Sequence, residues 1–93
     1  MLEIKEFGIK IRFRKGYKNQ PRLMQERFTY ECSVFFPDNS LKTGYAYLNP
    51  RDNNNKKLGK IIALRKALNE IGDYFNRQQR TIIWDSFWDW LNK

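Results

Sequence analysis

Residues 9–14 read Ile-Lys-Ile-Arg-Phe-Arg, and their spacing puts two chemistries into six positions. In a β-strand the side chains alternate faces. Ile9, Ile11 and Phe13 would then enter a core, while Lys10, Arg12 and Arg14 stand in a column of positive charge on the other side. A row of cations suits an anionic partner. The residues expected beside that column on the outer sheet face, among them Thr29, Phe35, Tyr45 and Tyr47, add flat rings to the charge. Single-stranded nucleic acid uses this mixture, because cations follow the phosphates and rings stack on bases for roughly 1–3 kcal/mol each. The plainer alternative is a solvated face whose tyrosines merely cover the strands, as in many antiparallel sheets with one buried side.

Two further basic groups extend the pattern. Arg14, Lys15, Lys18 and Arg22 gather around a polar loop over residues 15–26, which Gly16 and Pro21 interrupt. Lys56, Lys57, Lys60, Arg65 and Lys66 fall on a helix, with Lys56 and Lys57 at its N-terminus, where the backbone itself attracts anions. A phosphate grip and an ordinary solvated surface both fit these groups. The third feature is aromatic. Trp84, Phe87, Trp88 and Leu91 recur on one helical face and read as core, which leaves Trp90 off that face as the candidate for an exposed contact with a protein.

Other chemistries lack their reagents. The chain contains no histidine, so the commonest general base and metal ligand is missing. Its single cysteine, Cys32, falls at an apolar strand position and reads as a buried, inert thiol. Asp85 and Asp89 share a helix face, and Asp38 and Asp52 sit in turns, where capping explains them. No Gly-rich phosphate loop or serine nucleophile motif is present. The expectation is a protein that is not an enzyme and uses no cofactor or metal.

These side chains need elements to hold them. Ninety-three residues with 41% apolar, 16% aromatic and 30% charged side chains form one small globular domain, 1–93. A chain of this size buries roughly 65% of its unfolded surface, enough for one modest core. The formal charge is +8, and residues 81–93 hold one Lys against two Asp, so the basicity belongs to the rest. No apolar run approaches the roughly 18 residues of a membrane span. With no signal-peptide core at the N-terminus, the expected compartment is the cytoplasm.

Apolar residues at positions 2 and 4, then 7, 9, 11 and 13, predict one strand over about 2–14 with a bulge near Lys5–Gly8 to correct the phase. Clean alternation predicts strands over about 27–36 and 41–48, joined by a Pro37–Ser40 turn. A helix over about 56–76 carries Gly59, Ala63 and Ala67 as a stripe of small residues that fits Gly44 and Ala46 on the third strand. A second helix covers about 81–91. The expected architecture is α+β, a three-stranded antiparallel sheet followed by two C-terminal helices packed on one face.

The segment Gly44-Tyr-Ala-Tyr-Leu-Asn-Pro-Arg-Asp, followed by Lys56-Lys-Leu-Gly-Lys-Ile-Ile-Ala-Leu-Arg-Lys-Ala-Leu68, resembles short phage- or plasmid-encoded proteins, most of them without an assigned function. The resemblance covers about a quarter of the chain and implies a mobile-element origin. Lys56, Lys57, Ala63, Ala67 and Leu68 also look like the second half of a double-stranded-RNA-binding domain, although this chain has no N-terminal helix and adds a Trp-rich one. The expected three-stranded sheet followed by a helix resembles, at the level of fold alone, integrase arm-binding domains, which read DNA with the sheet.

The sequence thus leads to a small, basic, non-catalytic nucleic-acid-binding protein for DNA or RNA. Its phosphate contacts would be Lys10, Arg12, Arg14, Lys15, Lys18, Arg22, Lys56, Lys57 and Lys60, with Tyr45 and Tyr47 stacking or touching sugars. The alternative is a phage or plasmid protein that binds and inhibits a host protein, one that is acidic or itself binds nucleic acid, with Trp90 as an anchor.

Overall fold

Period-two alternation builds four antiparallel strands: β1 (Leu2–Ile4), β2 (Ile9–Lys15), β3 (Tyr30–Phe35) and β4 (Leu41–Ala46). They lie side by side in sequence order. The computed structural model describes residues 1–16, 30–47 and 56–93.

The fold class is as expected, but the sheet has four strands where the sequence suggests three. The first apolar run is a hairpin, not one bulged strand. Lys5–Phe7 form a 3-10 turn that ends at Gly8, whose φ of 65° is left-handed and suits a residue without a side chain. The amide of Gly8 donates to the carbonyl of Lys5 at 3.2 Å, and the chain reverses. Leu2 pairs with Ile11 and Ile4 with Ile9. Directly paired residues share a face, so the shift from even to odd positions arises because the ladder pairs even with odd.

Two helices cover one face of the sheet. α1 (Lys56–Ile71) lies over β4 and β3, and α2 (Arg77–Leu91) lies against β1. The small-residue stripe works as its spacing suggests: Gly59, Ala63 and Ala67 are all buried. A Cβ placed on Gly44 would fall inside the contact distance of the Ala67 amide nitrogen and the Ala63 carbonyl oxygen, so the helix backbone rests on the strand. One on Gly59 would enter the ring of Tyr30.

The helix expected to run to residue 76 stops at Ile71. Gly72, at φ 67°, opens a 3-10 turn through Tyr74. The second helix starts at Arg77, four residues earlier than its apolar pattern suggests. Asn76 caps it, accepting from the Gln79 amide at 2.8 Å while the Gln79 side chain accepts from the Asn76 amide at 2.9 Å. This reciprocal box satisfies two amides that the first turn otherwise leaves unpaired. The guanidinium of Arg80 donates to the Gly72 carbonyl and ties the helix to the turn before it.

The core lies between sheet and helices. Ile9, Ile11, Cys32, Val34, Leu64, Ile83 and Phe87 are its most enclosed side chains. At one end of the sheet Phe7, Phe36 and Phe75 gather, with ring centroids 5.5 Å (Phe7–Phe75) and 6.1 Å (Phe36–Phe75) apart. At the other end Phe13 packs on Phe87 and Trp90. Among the described residues no helix is long and apolar enough to cross a membrane.

Candidate functional site

The open face of the sheet is set by strand register. Lys10, Arg12 and Arg14 stand opposite Phe35, Ser33 and Glu31, which in turn stand opposite Leu41, Thr43 and Tyr45. Three rows result: Lys10–Phe35–Leu41, Arg12–Ser33–Thr43 and Arg14–Glu31–Tyr45. The column of cations exists on the face the alternation assigns it.

Its charge is partly answered from within. The Arg14 guanidinium donates to Glu31 Oε2 at 2.9 Å, and the Ser33 hydroxyl donates to Glu31 Oε1 at 3.2 Å. Glu31 is buried at the sheet surface. Lys10 Nζ lies 3.9 Å from Glu3, with both side chains about half exposed, an arrangement worth roughly 0–1 kcal/mol and easily exchanged for a phosphate. Arg12 lies over the Phe35 ring at 5.3 Å and makes no ion pair among the described residues. Sequence reasoning misses Glu3 and Glu31. Their positions become visible only once register is known, since neither is near its partner along the chain.

The remaining cations divide. Lys15 pairs with Tyr30 and therefore belongs to the helix-covered register at the strand's end, apart from the Lys10–Arg14 column. Lys56 and Lys57 are exposed on the first turn of α1. The Lys60 ammonium sits 5.1 Å above the Trp90 ring and joins the two helices. Lys18 and Arg22 lie outside the described residues, as do Arg27–Thr29 and Leu48. Arg65 and Lys66 are exposed on α1, which carries more Lys and Arg than any other described element.

Two aromatic expectations exchange places. Trp90 is not an exposed anchor. It is partly buried against the core and stacks on Phe13 with centroids 5.4 Å apart and planes 22° from parallel. Trp88, expected in the core, is 40% exposed and stacks on Trp84 at 6.2 Å. Ile83, Phe87 and Trp90 recur at four- and three-residue spacing and turn one face of α2 to the core, which leaves Trp88 beside it.

Tyr45 and Tyr47 are 37% and 48% exposed, with ring centroids 6.5 Å apart. They bridge two basic surfaces. Tyr45 shares a sheet row with Arg14, and Lys66 of α1 reaches over the Tyr47 ring at 5.1 Å. Between β4 and α1 lies an open groove of about 310 Å³ lined by these two tyrosines, Lys66, Asn69 and Glu70.

Three of the described titratable groups are shifted by their surroundings. Burial pushes the Cys32 thiol far up, and the adjacent Glu31 carboxylate adds to the effect, so the thiolate is suppressed. Burial also raises the Tyr30 phenol. The Ser40 hydroxyl, and then the Ser40 amide, hold the Asp38 carboxyl below its ordinary value in the Pro37–Ser40 turn. Among the described residues no group of three or more His, Cys, Asp or Glu side chains is placed to hold a metal ion.

Comparison with protein-family models, with curated proteins and with solved structures finds no match to this chain.

Proposed function

We propose that this protein binds nucleic acid without catalysis, through the open sheet face and the exposed side of α1. The observation that carries the reading is the placement of the Tyr45–Tyr47 pair. Two exposed rings stand between the Arg12 and Arg14 column and the cations of α1, so phosphate and base contacts fall on one continuous surface. Phosphate contact supplies affinity and no sequence preference, and such affinity falls steeply with salt. The resemblance of residues 44–68 to phage- and plasmid-encoded proteins supports a mobile-element origin.

Fluorescence anisotropy with labelled DNA and RNA across a salt series tests this. Wild type should bind with a log–log salt slope of several units. The combined variant Arg12→Glu, Lys56→Glu, Lys57→Glu should weaken binding to every sequence alike and lower the slope by about one for each phosphate it no longer neutralises. These positions are exposed, so the fold is not at risk; Arg14 is avoided because its removal would strand Glu31. Unchanged binding by the triple variant would overturn the reading.

The stacked Trp84–Trp88 pair favours a second reading, in which the partner is a host protein whose function is inhibited. Trp88 then takes the role the sequence gives to Trp90, since an exposed tryptophan is the usual centre of a binding hot spot. Absence of nucleic-acid binding together with a phenotype abolished in Trp88→Ala would select it.

A further inference from the structure

We propose that the groove between β4 and α1 holds one unpaired nucleobase bearing an exocyclic amino group, so that the preferred ligand is single-stranded. The inference rests on the nucleic-acid reading above and narrows it.

The groove has two kinds of wall. Tyr45 and Tyr47 form the aromatic one, both exposed and with their planes tilted 41° to each other, so the two rings are not stacked face to face. Lys66, Asn69 and Glu70 form the polar one. Asn69 and Glu70 follow Lys66 by three and four residues on α1, so both neighbour Lys66 on the side of the helix that lines the groove. A base resting on a tyrosine face would turn its edge towards that side.

The polar wall fits a base better than a phosphate. Glu70 repels a phosphate, whereas its carboxylate accepts from an amino group such as that of cytosine. The Asn69 amide offers both donor and acceptor, the pairing that suits adenine. Lys66 is set over the Tyr47 ring, where it can reach the backbone entering the groove. In a duplex the same base edges are paired and the faces stacked, so entry would require extrusion at a cost of a few kcal/mol.

The walls are also held at a fixed spacing. The backbone of α1 rests on Gly44, one residue from Tyr45, with nothing compressible between them. A site on two elements packed backbone to backbone keeps its geometry better than one on loops.

Anisotropy titrations of the full chain with oligo-dA, oligo-dC, oligo-dT and a duplex of equal length test the inference, joined by 2-aminopurine fluorescence in a single strand. Oligo-dA and oligo-dC should bind about tenfold or more tighter than oligo-dT and the duplex, and 2-aminopurine should be quenched on binding. Tyr45→Ala with Tyr47→Ala should cost single strands about tenfold per ring, remove the quenching and weaken duplex binding by a smaller factor. Glu70→Ala should erase the preference for oligo-dC over oligo-dT. Should the double tyrosine variant fail to fold, Asn69→Ala carries the same test through the oligo-dA preference. Equal binding of all oligonucleotides, with tyrosine variants like wild type, overturns the groove alone when the Arg12, Lys56, Lys57 variant still loses affinity. No binding to any nucleic acid overturns both readings.

Discussion

The two helices cover the same sheet by opposite means. α1 approaches through what its residues lack: Gly59, Ala63 and Ala67 bring its backbone onto Gly44 and the Tyr30 ring. α2 is held off by what its residues carry, with Ile83 and Phe87 fully enclosed and Trp84 and Trp90 packed around them. One interface fails when a methyl is added and the other when a ring is removed. The difference also sorts the roles. A helix seated on backbone presents its outer row at a fixed distance from the strand edge, which is where the groove lies. A helix seated on large side chains fills the space beneath it with Ile83 and Phe87.

Removing the ring should give the largest effect. Phe87→Ala deletes a fully buried side chain touched by Phe13, Trp84, Trp88 and Trp90, and should cost about 3–5 kcal/mol by urea denaturation. A domain of this length has roughly 5–14 kcal/mol in all, so the variant should be near its unfolding limit at 37 °C. Adding the methyl comes next. Gly44→Ala should cost about 1–3 kcal/mol and, unlike Phe87→Ala, should also weaken single-strand binding, because α1 must lift and widen the groove. If Gly44→Ala loses stability while binding as wild type, the link between close packing and the groove is broken. The smallest effect sharpens where α2 begins. Asn76→Ala removes the capping box and should cost about 1 kcal/mol, without changing nucleic-acid affinity.

Much of this is legible in the chain because alternation and small-residue spacing are local signals. Ile9, Ile11, Cys32 and Val34 declare the covered face, and the Gly59–Ala63–Ala67 stripe names its mate, Gly44. The hairpin at Lys5–Phe7 escapes the alternation because a change of parity is produced equally by a bulge and by a reversal. Only the left-handed Gly8 distinguishes them, and a lone glycine fits both. The start of α2 escapes for a different reason. Asn76 and Gln79 have the residue types and spacing of a capping box, but the apolar pattern that would mark a helix start sets in only later. The exchange of Trp88 and Trp90 has its own origin: Ile83, Phe87 and Trp90 form a helical stripe as regular as Trp84, Phe87, Trp88 and Leu91, and packing selects between them. The groove is beyond reach because it joins residues 45 and 47 to residues 66, 69 and 70, a neighbourhood created by packing. Tyr45 and Tyr47 stand out in the sequence as rings on the outer face; Asn69 and Glu70 carry no signal of their own.

The order of the strands has a consequence for biosynthesis. Every strand pairs with the next one along the chain, and both helices come afterwards. A ribosome therefore delivers the whole sheet before either of the elements that cover it. At about 5–20 residues per second, the interval between the end of β4 and the end of α2 lasts roughly 2–9 s. Through that interval Ile9, Ile11 and Val34 lack the helices that later cover them, on a sheet already able to zip up hairpin by hairpin.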